Sequence, residues 1–232
     1  MATMLDDNVR NQITEMFADM QYPVDVLLFV SDNKDRCQYC GETAQLLEEV
    51  TALSDLLQLQ VYDLEKDAGL AGQYKVDGVP EFVLVGRDGD QVLDYGIHYK
   101  GIPGGHEFTS LVNDLLLISR RDSNLNEETR QFLRELKEPV HLQVFVTPTC
   151  PHCPRAVVLA HQMALESPMV EAVMVEAMEF PELANRFDVS GVPQTTINWG
   201  AGTVIGSVPE SHLVNEIRAA LQKTNREITK TN

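Results

Sequence analysis

The sequence predicts an α/β protein made of two tandem copies of one unit, each a mixed sheet of four strands, with room for an extra strand, flanked by helices. Two CxxC pairs carry that prediction first: Cys37 and Cys40 in "CQYC" and Cys150 and Cys153 in "CPHC" use all four cysteines and stand 113 residues apart. The same offset lays "LAGQYKVDGVP" (70–80) over "LANRFDVSGVP" (183–193), so that Gly78-Val79-Pro80 meets Gly191-Val192-Pro193. Upstream of the cysteines the best offset is 116, with "LLFV" (27–30) over "QVFV" (143–146), which places three extra residues in the first copy's "SDNKDR" loop. A register held over more than fifty residues marks a duplicated unit.

The elements follow the same order in each copy. A helical pattern (Asp6 to Met20; Asn126 to Leu136) leads into an apolar strand (Val24 to Val30; Val140 to Val146), then a loop and the CxxC. The next helix carries one apolar stripe, Leu46, Leu47, Val50 and Leu53 in the first copy and Val157, Ala160, Met163 and Ala164 in the second, as a helix packed on a sheet requires. A second strand follows, "LQLQVYDL" or "VEAVMVE", then a short helix ending near Tyr74 or Phe187. After each GVP comes a third strand, "FVLVG" (82–86) or "TTINW" (195–199). Gly89 and Gly202 are expected to turn the chain into a fourth strand, and "FTSLVNDLLLIS" or "HLVNEIRAAL" forms a closing helix. A strand–helix–strand crossover followed by a hairpin yields a mixed sheet under helices. The polar stretch "SRRDSNLNEET" marks the boundary, giving units at 1–120 and 121–232.

Composition narrows the function. With 18 basic against 35 acidic residues, the net charge of −17 repels phosphate backbones and anionic lipid, which argues against nucleic acid or membrane as partners. The start "MATMLDDNVRNQ" has neither the basic nor the apolar region of a secretory signal, and no apolar run approaches the ~20 residues of a membrane span. The expectation is a cytoplasmic protein, a setting where CxxC pairs serve redox or metal chemistry more often than structure.

Exchange with other disulfides needs one sulfur that is a thiolate at neutral pH and a second close enough to attack the resulting mixed disulfide. Two intervening residues satisfy this when the motif opens a helix, whose free N–H groups and dipole stabilise negative charge on the first cysteine. Such placement lowers a thiol pKa from about 8.5 to roughly 3.5–7.5. Cys37 and Cys150 are therefore assigned as nucleophiles, and Cys40 and Cys153 as resolving thiols. His152 adds positive charge or a donor beside the second pair, and Pro151 fixes the backbone at the helix start. Gln38 and Tyr39 are neutral and stabilise a thiolate less. Competing readings are a zinc site, a structural disulfide and a cluster shared across a dimer. Zinc ribbons set their pairs roughly 15–20 residues apart, whereas 109 residues separate Cys40 from Cys150.

These motifs resemble the thioredoxin superfamily, in which a CxxC opens a helix and a Val-Pro or similar dipeptide about forty residues later carries a cis proline. Two such units in one chain, with "CQYC" first and a CPxC second, are similar to the glutaredoxin-like protein disulfide oxidoreductases of thermophilic prokaryotes. The resemblance implies two tandem thioredoxin-like units, with Pro80 and Pro193 as cis prolines and the backbones of Val79 and Val192 pairing with extended substrate. It implies a thiol–disulfide oxidoreductase that reduces, oxidises or isomerises protein disulfides with no prosthetic group, recycled by an external reductant such as a thioredoxin reductase. Two alternatives are a redox-regulated adaptor and a dedicated electron donor to a thiol peroxidase or peroxiredoxin. The related bacterial donor modules keep only one CxxC, and this chain keeps both.

There are departures from that pattern. Thioredoxins carry a buried Asp beneath the motif and a Trp before the first cysteine; here Leu28 and Val144 take the acid's place, and Arg36 and Thr149 precede the cysteines. The acceptor for the resolving thiol's proton is thereby unassigned; Asp63 and Glu176, which match across the repeat, are candidates that capping explains as well. Glu81, opposite Gln194 in the repeat, should make the first site more electronegative. His98, His106, His141, His161 and His212 show no ligand or triad spacing and read as surface or satisfied core residues. "GIPGGHEF" (101–108) reads as a turn into a helix with no chemistry. With His152 beside it, the 150–153 pair is expected to be the more oxidising; reduction potentials of each pair, measured with the other mutated to serine, test this, and a more oxidising 37–40 pair contradicts it.

Overall fold

The computed structural model describes residues 3–231, with side chains to 223. The first half runs α1 (Asp7–Phe17), β1 (Val24–Val30), α2 (Cys40–Thr51), β2 (Leu57–Asp63), α3 (Ala68–Gln73), β3 (Glu81–Asp88), β4 (Gln91–Lys100) and, after a single 3-10 turn at Gly105–Glu107, α4 (Phe108–Arg120). The second runs α5 (Glu127–Arg134), β5 (Val140–Val146), α6 (Cys153–Glu166), β6 (Val170–Glu176), α7 (Pro181–Arg186), β7 (Gln194–Ile197), β8 (Gly202–Ile205) and α8 (Glu210–Thr231). Asp6 starts α1 by accepting the Val9 N–H at 2.8 Å, and Asn126 starts α5 by accepting that of Thr129 at 2.9 Å. Each supplies an oxygen to a helix N–H that has no partner within the helix.

The two halves contribute four strands each to one continuous sheet in the order β2-β1-β3-β4-β6-β5-β7-β8. The halves join where β4 lies parallel to β6, from Ile97 opposite Ala172 to Lys100 opposite Val175. Strands β1, β2, β4, β5, β6 and β8 run one way and β3 and β7 the other. The ends of β1 and β5, from which the two CxxC loops leave, therefore share one edge of the sheet, with β3, β4 and β6 between them.

Burial explains the strand sequences. β1 is buried along nearly its whole length, because one face carries Val24, Val26 and Leu28 in the main core and the other carries Leu27 and Phe29 against Ala71 and Tyr74 of the α3 segment. A strand covered on both faces reads as a continuous apolar run. In the second half Phe145, Val173 and Val175 pack on Ala184 of α7 in the same way. The main core continues beneath both halves, where Leu111, Leu115 and Ile118 of α4 share one cluster with Val157, Ala160 and Ala164 of α6.

Four local expectations are corrected. The helices after the motifs begin at the second cysteine, so Cys37 and Cys150 lie in the preceding turn rather than in the first helical turn. Pro151 is accordingly a turn residue, and Pro154 holds the early helical position where a missing N–H costs little. Gly202 is the first residue of β8 instead of a turn residue; Asn198, Trp199 and Gly200, all at positive φ, make that turn. For the same reason β7 stops at Ile197, short of "NW".

The segment 101–108 packs against the second half. Gly105 has a φ of +59°, and a Cβ there would come within 2.2 Å of the Pro148 carbonyl oxygen, which also accepts the His106 N–H at 3.0 Å. Only glycine allows that approach. Gly105→Ala should cost about 2–3 kcal/mol in urea unfolding, while Gly72→Ala in α3, where a Cβ meets nothing within 4 Å, should be neutral or gain up to about 1 kcal/mol.

Candidate active site

Each CxxC is closed as a disulfide, Cys37 with Cys40 and Cys150 with Cys153. In the first motif, Asn33 holds the loop by accepting the Arg36 and Cys37 N–H groups on its carbonyl at 3.0 and 3.1 Å. Arg36 pairs with Glu65, and Thr43 hydrogen-bonds the Tyr39 carbonyl at the start of α2. Cys37, Cys40 and Val79 form a small apolar cluster flanked by Val30 and Leu64. Val79–Pro80 is a cis peptide, as is Val192–Pro193. In the second motif, Cys150 donates its N–H to the Thr147 carbonyl at 3.1 Å, and Val192 packs on the core cluster that contains both cysteines.

The sulfurs are more covered than free exchange suggests. Cys153 is 0 % exposed and Cys150 7 %, so only the first cysteine of that pair reaches the surface. In the first motif, Cys37 at 6 % and Cys40 at 9 % are alike, so exposure does not separate their roles. Around them Gln38, Tyr39, Pro151 and His152 are exposed. His152 precedes α6 with no capping hydrogen bond from its side chain.

The structure brings in a residue to which the sequence attaches no chemistry. Glu107, on the turn that packs against α6 and the Pro148 carbonyl, is 1 % exposed. Its Oε2 accepts the Ser110 hydroxyl at 2.7 Å, while Oε1 has no hydrogen-bond partner. Burial pushes the Glu107 carboxyl up to about 7, the Ser110 hydrogen bond opposing and nearby Asp114 adding to the rise. The only sequence signal is a Glu beside a helix start, which ordinarily marks helix capping.

Other acids change role. Glu81 does not add a free negative charge to the first site: it is buried, with Oε1 3.3 Å from His98 Nδ1 and Oε2 3.4 Å from Lys100 Nζ. Its repeat partner Gln194 instead donates to the Phe187 carbonyl. Asp63 caps the turn after β2, accepting the N–H groups of Glu65 and Lys66 at 3.1 and 2.8 Å. Glu176 accepts the Glu179 N–H at 2.6 Å, and its Oε1 is buried without a partner. Glu179, from the second half, accepts the Ile102 N–H of the first at 2.7 Å, close to Gly101, whose own N–H bonds the Pro80 carbonyl. Burial raises the Glu179 carboxyl to about 7, with Glu176 and Glu42 adding to the rise against the Ile102 hydrogen bond.

The histidines divide. His106 and His212 are exposed. His98 pairs with Glu81, whereas His141, stacked on Trp199 at 4.1 Å, and His161, buried against Asp114, each leave one ring nitrogen without a partner. Among the described residues no group of three His, Cys, Asp or Glu side chains is arranged to hold a metal ion, and no helix is long and apolar enough to cross a membrane.

A fold of paired thioredoxin-like units, each with a CxxC disulfide at a helix start, defines a thiol–disulfide oxidoreductase architecture, and the chain belongs to the thioredoxin superfamily. The thioredoxin domain family model matches residues 140–219. Over 93 % of this chain and 94 % of the other, the structure superposes on a protein disulfide oxidoreductase from Aeropyrum pernix, at a TM-score of 0.83 and 31 % identity. It also matches the NTD_N/C domain of the alkylhydroperoxide reductase AhpF from Enterococcus faecalis, at a TM-score of 0.83 and 25 % identity over 92 % of this chain and 99 % of that one. Among curated sequences, the corresponding alkyl hydroperoxide reductase component of Pseudomonas aeruginosa is 26 % identical over 88 % of this chain. A Ferdinandcohnia aciditolerans protein named NADH dehydrogenase is 26 % identical over 84 %. The chain spans about a third of the length of these relatives, 35 % and 34 % respectively.

A carboxyl whose folded pKa is raised destabilises the fold above its unfolded value, because the unfolded chain releases the proton first. For Glu107 the loss begins above the ordinary value of 4.5 and is complete above about 7. Glu107→Gln should therefore gain on wild type by about 3 kcal/mol between pH 4.5 and pH 8 in denaturant unfolding.

Proposed function

We propose that this chain catalyses thiol–disulfide exchange on protein disulfides through two dithiol sites, one in each of the units 1–120 and 121–232. The observation that carries the reading is that both CxxC pairs are closed as disulfides at helix starts on the same edge of the sheet. In the reducing direction, an external two-electron donor, such as a thioredoxin reductase, first opens the disulfide. The Cys150 thiolate then attacks a substrate sulfur, forming a mixed disulfide and expelling one substrate thiolate. Cys153 loses its proton and attacks the Cys150 sulfur, so that the second substrate thiolate leaves and the Cys150–Cys153 bond closes. Two electrons pass from the dithiol to the substrate. Cys37 and Cys40 perform the same steps in the first unit.

Glu107 is the proton acceptor for Cys153. A carboxyl poised near 7 holds or releases a proton at working pH, its turn packs on α6, and β5 carries Val144 where thioredoxins have an Asp. The missing Asp and Trp also support a glutaredoxin-like character. Val79 and Val192 offer backbone groups to an extended substrate strand, and the exposed His152, Pro151, Gln38 and Tyr39 tune the two pairs.

A second reading, electron donor to a peroxiredoxin, is favoured by the likeness to the AhpF domain. The two are separated by giving the reduced chain either insulin or a peroxiredoxin with hydroperoxide. In the insulin assay with dithiothreitol, with the first site silenced by Cys37→Ser and Cys40→Ser, Cys150→Ser should lose about 100-fold or more and Glu107→Gln about 100-fold at the resolving step. Undiminished turnover on adding Cys150→Ser to that background overturns the assignment.

A further inference from the structure

Where α4 packs on α6, the core holds a polar cluster that the exchange steps do not use. Asp114 on α4 and His161 on α6 are each 1 % exposed and meet through Oδ2 and Nδ1 at 2.5 Å. Tyr99, fully buried near the end of β4, donates its hydroxyl to the same Oδ2. Its ring stacks on Phe82 at 4.8 Å and tilts against His161 at 5.0 Å. Asp114 Oδ1, His161 Nε2 and Glu107 Oε1 are all left without a hydrogen-bond partner. A buried polar group with an open atom costs free energy, so a cluster with three of them is a poor source of stability.

The cluster's position links it to Glu107. Ser110 stands one helical turn before Asp114 on α4 and donates to Glu107 Oε2 at 2.7 Å. The groups facing Glu107 are Ser110 and Asp114 from α4, Tyr99 from β4 and, from α6, His161 behind Asp114. The β5–α6 loop offers the Pro148 carbonyl, and exposed His106 adjoins on the turn itself. In this water-poor setting a nearby carboxylate strongly favours the protonated form of Glu107, and an imidazole on that carboxylate offsets the effect.

We propose that the Asp114–His161 pair is a positioning device that sets the proton affinity of Glu107, and with it the pH range over which the second dithiol exchanges. The proposal rests on reading Glu107 as the proton acceptor. Asp114 raises the affinity, and His161 and Tyr99, by binding the same oxygen, limit the rise. The pair also spans the two halves, since α4 belongs to the first and α6 to the second.

Side-chain carboxyl NMR of the oxidised full chain tests this, with the Glu107 resonance identified by its loss in Glu107→Gln. Asp114→Asn should move the Glu107 midpoint down by about one pH unit, and His161→Gln should move it up. If the asparagine variant does not fold, Tyr99→Phe takes its place; it keeps the ring, removes one donor to Asp114 and should also move the midpoint up. Midpoints that coincide with wild type, or that move opposite to these directions, overturn the proposal. The pH profile of insulin reduction by the full chain carrying Cys37→Ser and Cys40→Ser, in which only the second dithiol turns over, tests the underlying reading separately: an inflection that survives Glu107→Gln removes Glu107 as acceptor, whatever the NMR midpoints do. An inflection that follows the NMR midpoint in each variant supports both.

Discussion

The parallel pairing of β4 with β6 is the contact on which the rest of the molecule depends. It spans only Ile97 to Lys100 against Ala172 to Val175. Without it, β4 would be the open edge of the first unit and β6 that of the second, each with a row of unpaired backbone groups. With it, the sheet is continuous, both CxxC loops leave from one edge, and α4 is pressed against α6. The pairing also explains why β4 begins exposed and ends buried: only its last four residues lie between two strands.

Each half thereby supplies a carboxyl to the other's loops. Glu107, of the first half, lies by the Pro148 carbonyl of the second motif, and Glu179, of the second, holds Ile102 next to the Gly101–Pro80 hydrogen bond of the first. Burial raises both to about 7. In a chain with a net charge of −17, the default is for acids to face water. Of the acids drawn inward here, Glu81 meets the Lys100 ammonium, and Glu107 keeps a proton near neutrality because of its burial.

Much of the fold was legible in the sequence because its signals are local. The apolar runs at Val24–Val30 and Val140–Val146 are the observed β1 and β5, and "VEAVMVE" is β6. The repeat placed the cysteines and the two GVP elements, which stand beside the motifs as cis Val–Pro bonds. Local chemistry misleads at helix starts and turns. Pro151 reads as the helix opener although Pro154, three residues on, fits the same preference, and Gly202 hides the turn made by Asn198, Trp199 and Gly200. Asparagine and even tryptophan can adopt positive φ when tertiary packing holds them there.

By itself the sequence determined the unit, its duplication and the dithiols, because strand periodicity, helix stripes and a two-residue cysteine spacing are set by neighbours along the chain. Only the tertiary structure decided what surrounds the dithiols. "GIPGGHEF" is an ordinary turn until β4 pairs with β6 and carries Glu107 beside the second motif, and His161 and Asp114 are 47 residues apart until α6 packs on α4. A side chain's proton affinity depends on the charges and water around it, and those come from residues distant in sequence.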